Sequence, residues 1–515
     1  MPSGLVVEQY RGRSFANLNL ESDTVAMTLS SLISTPNAVP PMSSRKAAIR
    51  AHSEAYATQR EVWRQKSSFF HREDEAYLRF LIPKGARVLE IGCGTGDTLA
   101  SLQPSYGVGI DFSAGMIEQA RRLHPHLAFM VGDVEDPATI ASAGEPFDYI
   151  LVLDTIGSLD DCQKFLEQLH PLCKRDTRVI IGHFSHLWQP VLRFAEWIGQ
   201  RMPVPEQNIL SAADIQGLQN LANFDQVKGE QRVLMPISLF GIGRLINRFI
   251  SILPVFRSFA LREYSVCRSL SVAQEKLQSA TVVVPARNER GNIEPAVQRI
   301  PQFCDDIEII FIEGHSKDGT FEEMERVKAT YPNKDIKLMR QPGKGKADAV
   351  FTAYDVARGD VLMILDADLT MPPEQLPKFW NAITSGQGEF INGSRLVYPL
   401  EDDAMRFLNL IANKIFSYLF SWLLNQRYTD TLCGTKVMRR TDYYRLREGK
   451  AYFGDFDPFG DFDLIFGSSK LNLKSIDLPI RYAARVYGET QISRFRHGVM
   501  LLRMVVFAFF KIKAI

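Results

Sequence analysis

Two series of short apolar runs form the clearest pattern in the chain. Most of the runs end in glycine or in a carboxylate residue, and helical stretches follow most of them. The first series is "ARVLEIGCGTG", "YGVGIDFS", "AFMVGDVEDP" and "PFDYILVLDTIG", and the second is "SATVVVPARNE", "IEIIFIEGHSKDGT" and "VLMILDADL". Strands that alternate with helices form parallel sheets. The pattern therefore predicts an α/β protein with two separate sheets.

The positions of the two series predict the domain boundaries. A chain of 515 residues is too long for a single core. The first residues are rich in Ser, Pro and Ala without periodicity, which predicts a loosely ordered leader. We expect independently folded halves, with the leader at 1–45, a first α/β domain at 46–235, a basic amphipathic connector at 236–275, a second α/β domain at 276–495 and a basic apolar tail at 496–515.

Composition narrows the range of partners. The 60 basic and 59 acidic residues give a net charge of +1, so no global field attracts nucleic acid. The six cysteines are scattered without a CxxC pair, and the N-terminus shows no secretory signal. This usage favours reduced thiols in a cytoplasmic compartment. We expect a cytoplasmic protein that does not bind nucleic acid, and the sequence leaves its oligomeric state open.

Two basic apolar stretches indicate contact with a membrane surface. Neither approaches the roughly 20 uninterrupted apolar residues of a membrane span. The run 504–510 is flanked by Arg503 and Lys511, and arginines interrupt the stretch 234–259. Such helices lie on anionic membranes, although a terminal helix that packs on its own domain has the same pattern. We expect peripheral association with the cytoplasmic face of a membrane.

The first series carries a glycine turn between a strand and a helix, "VLEIGCGTGD". Glycine allows the backbone to pass close to a ligand, and the following helix offers free amide groups. Asp111 lies about 20 residues after Glu90, the separation at which an acid meets ribose hydroxyls in a doubly wound sheet. Asp133 and Asp154 follow the next two strands. These residues predict a nucleotide-like ligand at the carboxyl edge of the sheet.

Residues from about 80 to 235 resemble the class I S-adenosylmethionine-dependent methyltransferases, most specifically at "VLEIGCGTG" and "GIDFS". The resemblance implies a Rossmann-like doubly wound sheet that binds S-adenosylmethionine. It implies contacts from Glu90, Gly92, Gly94 and Gly96 to the methionine part, from Asp111 to the ribose, and from Asp133 and Val134 to the adenine.

Other interpretations of this half stay open. A nicotinamide enzyme would use a similar glycine turn, but the acidic Glu90 suits an amino group and a sulfonium better than a pyrophosphate. The methyl acceptor is not indicated, and His183 and His186 are candidate bases after the fifth strand. A domain that binds the cofactor without catalysis is the remaining alternative.

The stretch "MILDADLT" ends an apolar strand with two carboxylates. Asp366 and Asp368 are two residues apart, so they leave the same side of a strand. Carboxylate oxygens are ligands for Mg²⁺ or Mn²⁺, which would neutralise a pyrophosphate. Two solvated acids in a turn are the alternative. The preceding turn "QPGKGKADA" offers Lys344 and Lys346 to phosphates.

Residues from roughly 278 to 495 resemble the family-two glycosyltransferases of GT-A fold, and most closely the dolichyl- or polyprenyl-phosphate sugar synthases. The matching segments are "VVVPARNE", "EGHSKDGT", "GKGKADA", "DADLT", "GSR", "DTLCGTKVMRR", "DFDLI" and "RVYGETQIS". The resemblance implies that Pro285, Arg287, Glu289, Glu313 and Asp366 bind a nucleotide sugar linked to UDP or GDP, with Asp366 and Asp368 at the metal. It also implies that Arg395, Arg485 and Ser493 lie near the acceptor phosphate.

These resemblances imply a bifunctional enzyme that transfers a sugar, with inversion, to a polyprenyl phosphate and a methyl group to an unknown acceptor. A phosphate monoester has a second pKa of about 6 and needs little help from a base. Asp463 would then orient the acceptor or the metal, and for a hydroxyl acceptor Asp461 or Asp463 would be the candidate base. Transfer to glycan or glycolipid hydroxyls with methylation of that glycan is one alternative. A nucleotide-sugar-binding membrane scaffold without turnover is the other.

Overall fold

The first half of the chain builds a seven-stranded sheet in the order β3-β2-β1-β4-β5-β7-β6. The computed structural model describes residues 42–205, 207–398, 407–454, 460–485, 487 and 494–515, so the leader up to residue 41 and Ser493 lie outside the described residues. Strands β1 to β5 are parallel, and β7 runs antiparallel to β5 and β6. The strands are β1 Arg87–Ile91, β2 Tyr106–Asp111, β3 Ala128–Val131, β4 Phe147–Leu153, β5 Cys173–Phe184, β6 Phe224–Arg232 and β7 Arg262–Ser269.

The second half builds another seven-stranded sheet, in the order β10-β9-β8-β11-β13-β12-β14. Strand β13 is antiparallel to both β11 and β12, and the other pairs are parallel. The strands are β8 Ser279–Ala286, β9 Asp306–Glu313, β10 Asp335–Arg340, β11 Val361–Ile364, β12 Phe390–Ser394, β13 Lys436–Arg439 and β14 Ser475–Pro479. Two α/β sheets were predicted, and this prediction is confirmed.

Helices cover the faces of these sheets and bury the apolar strands between them. The helices are α1 Ser44–Tyr56, α2 Arg60–Lys66, α3 Ser68–Leu81, α4 Asp97–Ser101, α5 Ala114–Leu123, α6 Pro137–Ala141, α7 Cys162–Gln168, α8 Gln189–Trp197, α9 Ala212–Leu221, α10 Ile242–Leu245, α11 Pro254–Arg257, α12 Ile293–Arg299, α13 Thr320–Thr330, α14 Lys346–Asp355, α15 Leu376–Thr384, α16 Phe407–Leu424, α17 Arg440–Glu448, α18 Asp461–Lys470 and α19 Arg494–Ala508. Within the described part of the chain, none of the helices has the length and apolar character needed to cross a bilayer.

The segment expected as a connector contributes a strand to the first sheet. Strand β6 ends at Arg232 and β7 begins at Arg262, so residues 233–261 leave this sheet and return to it. Every residue of β7 is buried although its sequence, "REYSVCRS", is largely polar. Arg262 is buried because its guanidinium pairs with Asp74 and Asp154. The first domain therefore extends through β7 rather than ending at residue 235.

A buried ion pair joins the two sheets. The Nη2 atom of Arg178, on β5, lies 2.7 Å from Oε2 of Glu389, which immediately precedes β12. Arg178 Nε also donates to the carbonyl of Asn472 at 2.7 Å. Further polar contacts across the same boundary join Arg175 to Asp442, Asp225 to Lys474 and Glu230 to Lys513. The two halves, which were expected to fold independently, belong to one compact unit that begins at Ser44.

We predict that Glu389→Ala lowers the free energy of unfolding by about 3–5 kcal/mol, because Arg178 then stays buried without its counter-ion. Burial alone would raise the pKa of Glu389, but Arg178 holds it below its usual value, so the carboxylate is ionised at neutral pH. Glu374→Ala is the matched control, since Glu374 pairs with Arg299 at 2.8 Å on the surface, where an ion pair contributes about 0–1 kcal/mol. Urea denaturation of the full chain measures both variants, and equal losses would contradict the prediction.

Candidate functional sites

A cavity of about 1060 Å³ lies at the carboxyl edge of the first sheet. Six of the seven residues that the resemblance assigned to the cofactor line it: Glu90, Gly92, Gly94, Asp111, Asp133 and Val134. Gly96 does not line it. Gly96 is the residue immediately before helix α4, and it has a φ of +75°. A Cβ atom at residue 96 would come within 2.6 Å of the Phe129 ring, so this glycine is required for packing. The structure thus brings together all but one of the predicted residues.

Asp111 fixes the conformation of the glycine turn. Its Oδ2 atom accepts a hydrogen bond from the Gly94 amide at 2.9 Å, and its Oδ1 atom accepts one from the Ser113 amide at 2.9 Å. Burial raises the pKa of Asp111, against the effect of these two donors. Asp111 is therefore both a wall residue of the cavity and the residue that connects β2 to the turn after β1.

Glu90 is a buried carboxyl group beside the same cavity. Its Oε2 atom accepts a hydrogen bond from the Leu99 amide at 3.1 Å. Burial raises the pKa of Glu90 from 4.5 to about 8. The group therefore carries its proton at neutral pH and would lose it when a cation binds nearby.

Cations from the N-terminal helices also reach this cavity. Lys46, on α1, pairs with both Asp133 and Glu135, which the sequence did not predict because Lys46 precedes them by 87 and 89 residues. Arg60, on α2, forms no ion pair with any residue that the structure describes, and its Nη1 atom lies 3.7 Å from Met202 Sδ. Burial lowers the pKa of Arg60, and the neighbouring Arg64 lowers it further. The cavity wall thus holds a cation that has no ion-pair partner in the part of the chain that the structure describes.

The histidines near this cavity differ from the sequence prediction. His183 does not line the cavity; its Nε2 atom faces Glu263 Oε2 on β7 at 3.2 Å. His186 is an exposed residue of the turn before α8. His71, which the sequence did not single out, does line the cavity, where burial and the nearby arginines lower its pKa to about 3. His71 is therefore neutral at physiological pH.

The two carboxylates after β11 each face a different cation. Lys346 Nζ, at the start of α14, lies 2.7 Å from Asp366 Oδ1, and Arg485 Nη2 lies 2.6 Å from Asp368 Oδ2. Burial would raise the pKa of Asp366, but Lys346 holds it below its usual value. Conversely, burial opposes the charge on Lys346, yet Asp366 and Asp461 raise its pKa. Lys346 and Asp366 therefore face each other as charged groups at neutral pH.

Arg485 also connects this pair to the expected nucleotide site. Its Nη1 atom lies 3.2 Å from Glu289 Oε1, and Glu289 Oε2 accepts a hydrogen bond from Asn292 Nδ2 at 2.7 Å. Burial raises the pKa of Glu289. Glu313 is buried at the end of β9 and accepts from the Ser316 amide. The remaining predicted contacts are Pro285 within β8 and the exposed residues Arg287 and Lys344.

The two acidic candidates on α18 point to different places. Residues two apart on a helix differ by about 200° in direction. Asp461 Oδ1 lies 3.9 Å from Lys346 Nζ and from Lys436 Nζ, and it has no hydrogen-bond partner among the described residues. Burial raises the pKa of Asp461 despite these lysines. Asp463 instead lines a small cavity of about 30 Å³ with Lys450 and Lys470, so Asp461 is the one that approaches the carboxylate pair.

The segment "DTLCGTKVMRR" packs beneath Asp366. Arg395 is held by Asp430 of this segment through two hydrogen bonds of 2.7 and 2.9 Å, so its charge is compensated within the protein. A Cβ atom at Gly434 would come within 2.0 Å of Asp366 Oδ2, so only glycine fits there. The sequence pattern did not predict roles for Asp430, Gly434 or Lys436. The segment is a run of small and charged residues, and such a run does not indicate which residues form ion pairs or close contacts.

The carboxylate pair fits a hard divalent cation only in combination with a ligand. Among the described residues, no group of three or more His, Cys, Asp or Glu side chains is arranged to hold a metal ion. Mg²⁺ is commonly held by one or two carboxylates while phosphate oxygens and water complete its coordination. Asp366 and Asp368 provide such carboxylates, and Asp461 Oδ1 is a buried oxygen without a donor. The donor chemistry fits Mg²⁺ or Mn²⁺ with a bound diphosphate.

Both halves of the chain match models of known protein families. Residues 61–228 match the model described as a methyltransferase domain. Residues 281–448 match the model described as glycosyl transferase family 2. The chain therefore combines a methyltransferase domain with a glycosyl transferase family 2 domain, which confirms both resemblances.

Individual relatives match parts of the chain. A dolichol-phosphate mannosyltransferase of Pyrococcus furiosus is 37% identical over 119 residues, which cover 23% of this chain and 33% of the relative. An undecaprenyl-phosphate 4-deoxy-4-formamido-L-arabinose transferase of Aeromonas hydrophila is 29% identical over 114 residues, 21% of this chain and 35% of the relative. The chain thus spans about a third of the length of these relatives. A solved S-adenosylmethionine-dependent methyltransferase of Thermotoga maritima, titled a possible histamine N-methyltransferase, is 19% identical and covers 43% of this chain and 99% of its own, with a TM-score of 0.34.

We predict that Asp111→Asn weakens S-adenosylmethionine binding by about 10- to 100-fold, because an amide cannot accept hydrogen bonds from both the Gly94 and the Ser113 amides. Calorimetric titration of the full chain measures this affinity. Asp136→Asn is the control, since Asp136 only caps the short helix α6. Sugar transfer by the Asp111 variant should equal that of the parent, and an equal loss in sugar transfer would contradict the assignment.

Proposed function

We propose that the second half of this chain transfers a sugar from a UDP- or GDP-linked donor to a polyprenyl-phosphate-type lipid, and that the first half transfers a methyl group from S-adenosylmethionine. The observation that carries the first proposal is the cluster of Asp366, Asp368, Lys346 and Arg485 at the end of β11, where two carboxylates and two cations lie within contact distance. The relatives named above, which are a dolichol-phosphate and an undecaprenyl-phosphate sugar transferase, support this choice of acceptor.

In the proposed reaction, an oxygen of the acceptor phosphate attacks the anomeric carbon of the sugar. The new carbon–oxygen bond forms as the bond to the nucleotide diphosphate breaks, so the anomeric configuration inverts. Lys346 and Arg485 are the cations in contact with the carboxylate pair, and they would bind the phosphate groups of donor and acceptor. A Mg²⁺ or Mn²⁺ ion held by Asp366 and Asp368 would neutralise the departing diphosphate. The ionised acceptor needs no base, which leaves Asp461 to orient it.

Exposed apolar side chains support peripheral attachment to a membrane. We define the apolar belt as the exposed apolar residues of α8, of residues 237–259, of α16 and of the C-terminal residues from 499 onward. On α16 and the C-terminal helix these are Ile411, Ile415, Tyr418, Val499, Leu502, Val506 and Phe510. Exposed arginines, including Arg248 and Arg503, lie among them. A surface of apolar and basic side chains suits an anionic bilayer.

We predict that Asp366→Asn and Asp368→Asn each reduce sugar transfer at least about 100-fold, because each removes one negative ligand of the metal and keeps nearly the same shape. Nucleotide binding should be weaker but detectable, and methyl transfer should be unchanged. The measurement is the transfer rate against Mn²⁺ concentration. Asp335→Asn, at an exposed pair with Arg358, is the control. Parent-like turnover of either variant in the presence of a chelator would refute the metal assignment.

The acceptor class requires its own experiment. A hydroxyl acceptor is the second candidate, and it is favoured by Asp461, whose buried Oδ1 atom has no hydrogen-bond partner among the described residues and lies beside the carboxylate pair. The full chain is incubated with GDP-mannose or UDP-glucose and either polyprenyl phosphate or a glycolipid hydroxyl acceptor. Product from polyprenyl phosphate that persists in Asp461→Asn supports the proposal. Product only from the hydroxyl acceptor, lost in Asp461→Asn, supports the alternative.

We predict that S-adenosylmethionine binding releases a proton below about pH 8. Glu90 has its pKa raised to about 8, so it is protonated in the free protein below that pH. The cofactor's amino group, which the resemblance places at Glu90, favours the carboxylate form. Affinity should therefore rise as pH increases towards 8 and level off above it. Calorimetry in buffers of different ionisation enthalpy measures the number of protons released on binding. A Glu90→Gln variant that kept the pH dependence would show that another group releases the proton.

A further inference from the structure

The cavity of the methyltransferase domain opens onto the apolar belt, and from this geometry we infer that the methyl acceptor is a sugar carried on a membrane lipid. The lipid-borne sugar would reach the cofactor directly from the bilayer. This inference rests on the proposed methyl transfer and names the substrate class for the same site.

The cavity lies at the upper end of the size range of ligand sites, so a cofactor that does not fill it would leave space for a second molecule. A site for one small ligand measures about 300–1,000 Å³, and this cavity measures about 1060 Å³. The part around the glycine turn is polar. The remaining wall comes from other elements and combines polar side chains such as Arg64 and Arg201 with apolar ones, which are Phe184, Trp188, Leu192, Ile198, Leu234 and Leu261. This part of the cavity therefore suits a ligand that has both a polar and an apolar portion.

The same elements carry apolar side chains from the cavity wall to the outer surface. Phe194, Ile198 and Ile237 line the cavity and are also exposed to solvent. Trp197, beside them, is 81% exposed. Proteins rarely expose contiguous apolar patches of this kind without a partner. The exposed Arg193 and Arg244 lie in the same two segments, and this mixture of charges and apolar groups suits an anionic lipid surface.

The opening of the cavity, around Phe194 and Ile237, is continuous with the part of the apolar belt that lies on α16 and the C-terminal residues. Trp188 Nε1 donates to the carbonyl of Phe259 at 2.7 Å, which ties α8 to the segment 233–261. In the same segment, the Phe249 ring meets the Phe510 ring at 6.5 Å, and Arg248 Nε donates to the carbonyl of Ala514 at 3.0 Å. A bilayer that covers the belt would thus contact both domains, and a lipid-linked sugar made by one would be available to the other.

The methyl transfer then involves a sugar hydroxyl. Its oxygen attacks the methyl carbon, the new carbon–oxygen bond forms as the carbon–sulfur bond breaks, and the electron pair stays on sulfur to give a neutral thioether. The hydroxyl proton passes to the carboxylate of Asp154, which follows β4, lines the cavity and is 41% exposed. From there the proton is released to solvent.

The test uses the full chain and S-adenosylmethionine with a labelled methyl group. One arm contains vesicles of phosphatidylcholine and phosphatidylglycerol that carry polyprenyl-phosphate mannose, and the other contains free methyl mannoside in solution. We expect label in the lipid-linked mannose at a rate at least tenfold above that in the free mannoside. Equal rates, or an unlabelled lipid in a protein that binds the cofactor, would overturn the inference. Failure to bind the cofactor would instead refute the methyltransferase proposal itself.

Surface variants test the route to the cavity. Trp197→Asp and Phe240→Asp each place a charge on an exposed belt residue, so they should lower vesicle flotation and reduce methylation of the vesicle-borne substrate at least tenfold. Their affinity for S-adenosylmethionine should stay at the parental value. Leu221→Asp is the matched control, because Leu221 is 68% exposed at the end of α9 and does not line the cavity. Parental rates on vesicles in both belt variants would contradict entry from the bilayer.

Discussion

The buried pair of Arg178 and Glu389 is the contact on which the arrangement of the two sheets depends. A charge buried without its partner costs several kcal/mol, so β5 and the start of β12 are stable at this boundary only when they meet. Arg178 also donates a hydrogen bond to the Asn472 carbonyl. This hydrogen bond depends on orientation, whereas apolar packing does not. The pair therefore holds the first-domain cavity and the second-domain carboxylates in one unit, with the segment 233–261 along the boundary.

Features that depend on neighbouring residues were predictable from the sequence. The apolar runs before Asp111 and Asp366 form parallel strands, and their carboxylates lie at the strand ends where such sheets bind ligands. The glycine turn after Glu90 lines a cavity, as predicted. It was predictable because the conformation of the turn depends on residues that are adjacent in sequence. Lys346 opens the helix after its own Gly/Lys turn, but its contact with Asp366, 20 residues later, was not predicted. Family resemblance then added the chemical assignments.

Features that depend on distant partners were not predictable. Strand β7 is polar, and its burial requires Arg262 to meet Asp74, which lies 188 residues earlier. The choice between Asp461 and Asp463 depends on the direction that α18 takes against Lys346, which no local pattern specifies. Arg395 was expected at an acceptor phosphate, yet Asp430 already holds its guanidinium. In each case the deciding interaction is an ion pair between segments far apart in sequence.

The charges around β11 bear on the proposal that a divalent cation binds there together with a sugar nucleotide. The groups that contact one another there are three cations, Lys346, Lys436 and Arg485, and four carboxylates, Asp366, Asp368, Glu289 and Asp461. Three positive against four negative charges leave an excess of one negative charge, or none if Asp461 keeps its proton. An anionic diphosphate gains no net attraction from such a cluster. The divalent cation proposed at Asp366 and Asp368 would reverse that balance and would leave Lys346 and Arg485 available for phosphate oxygens.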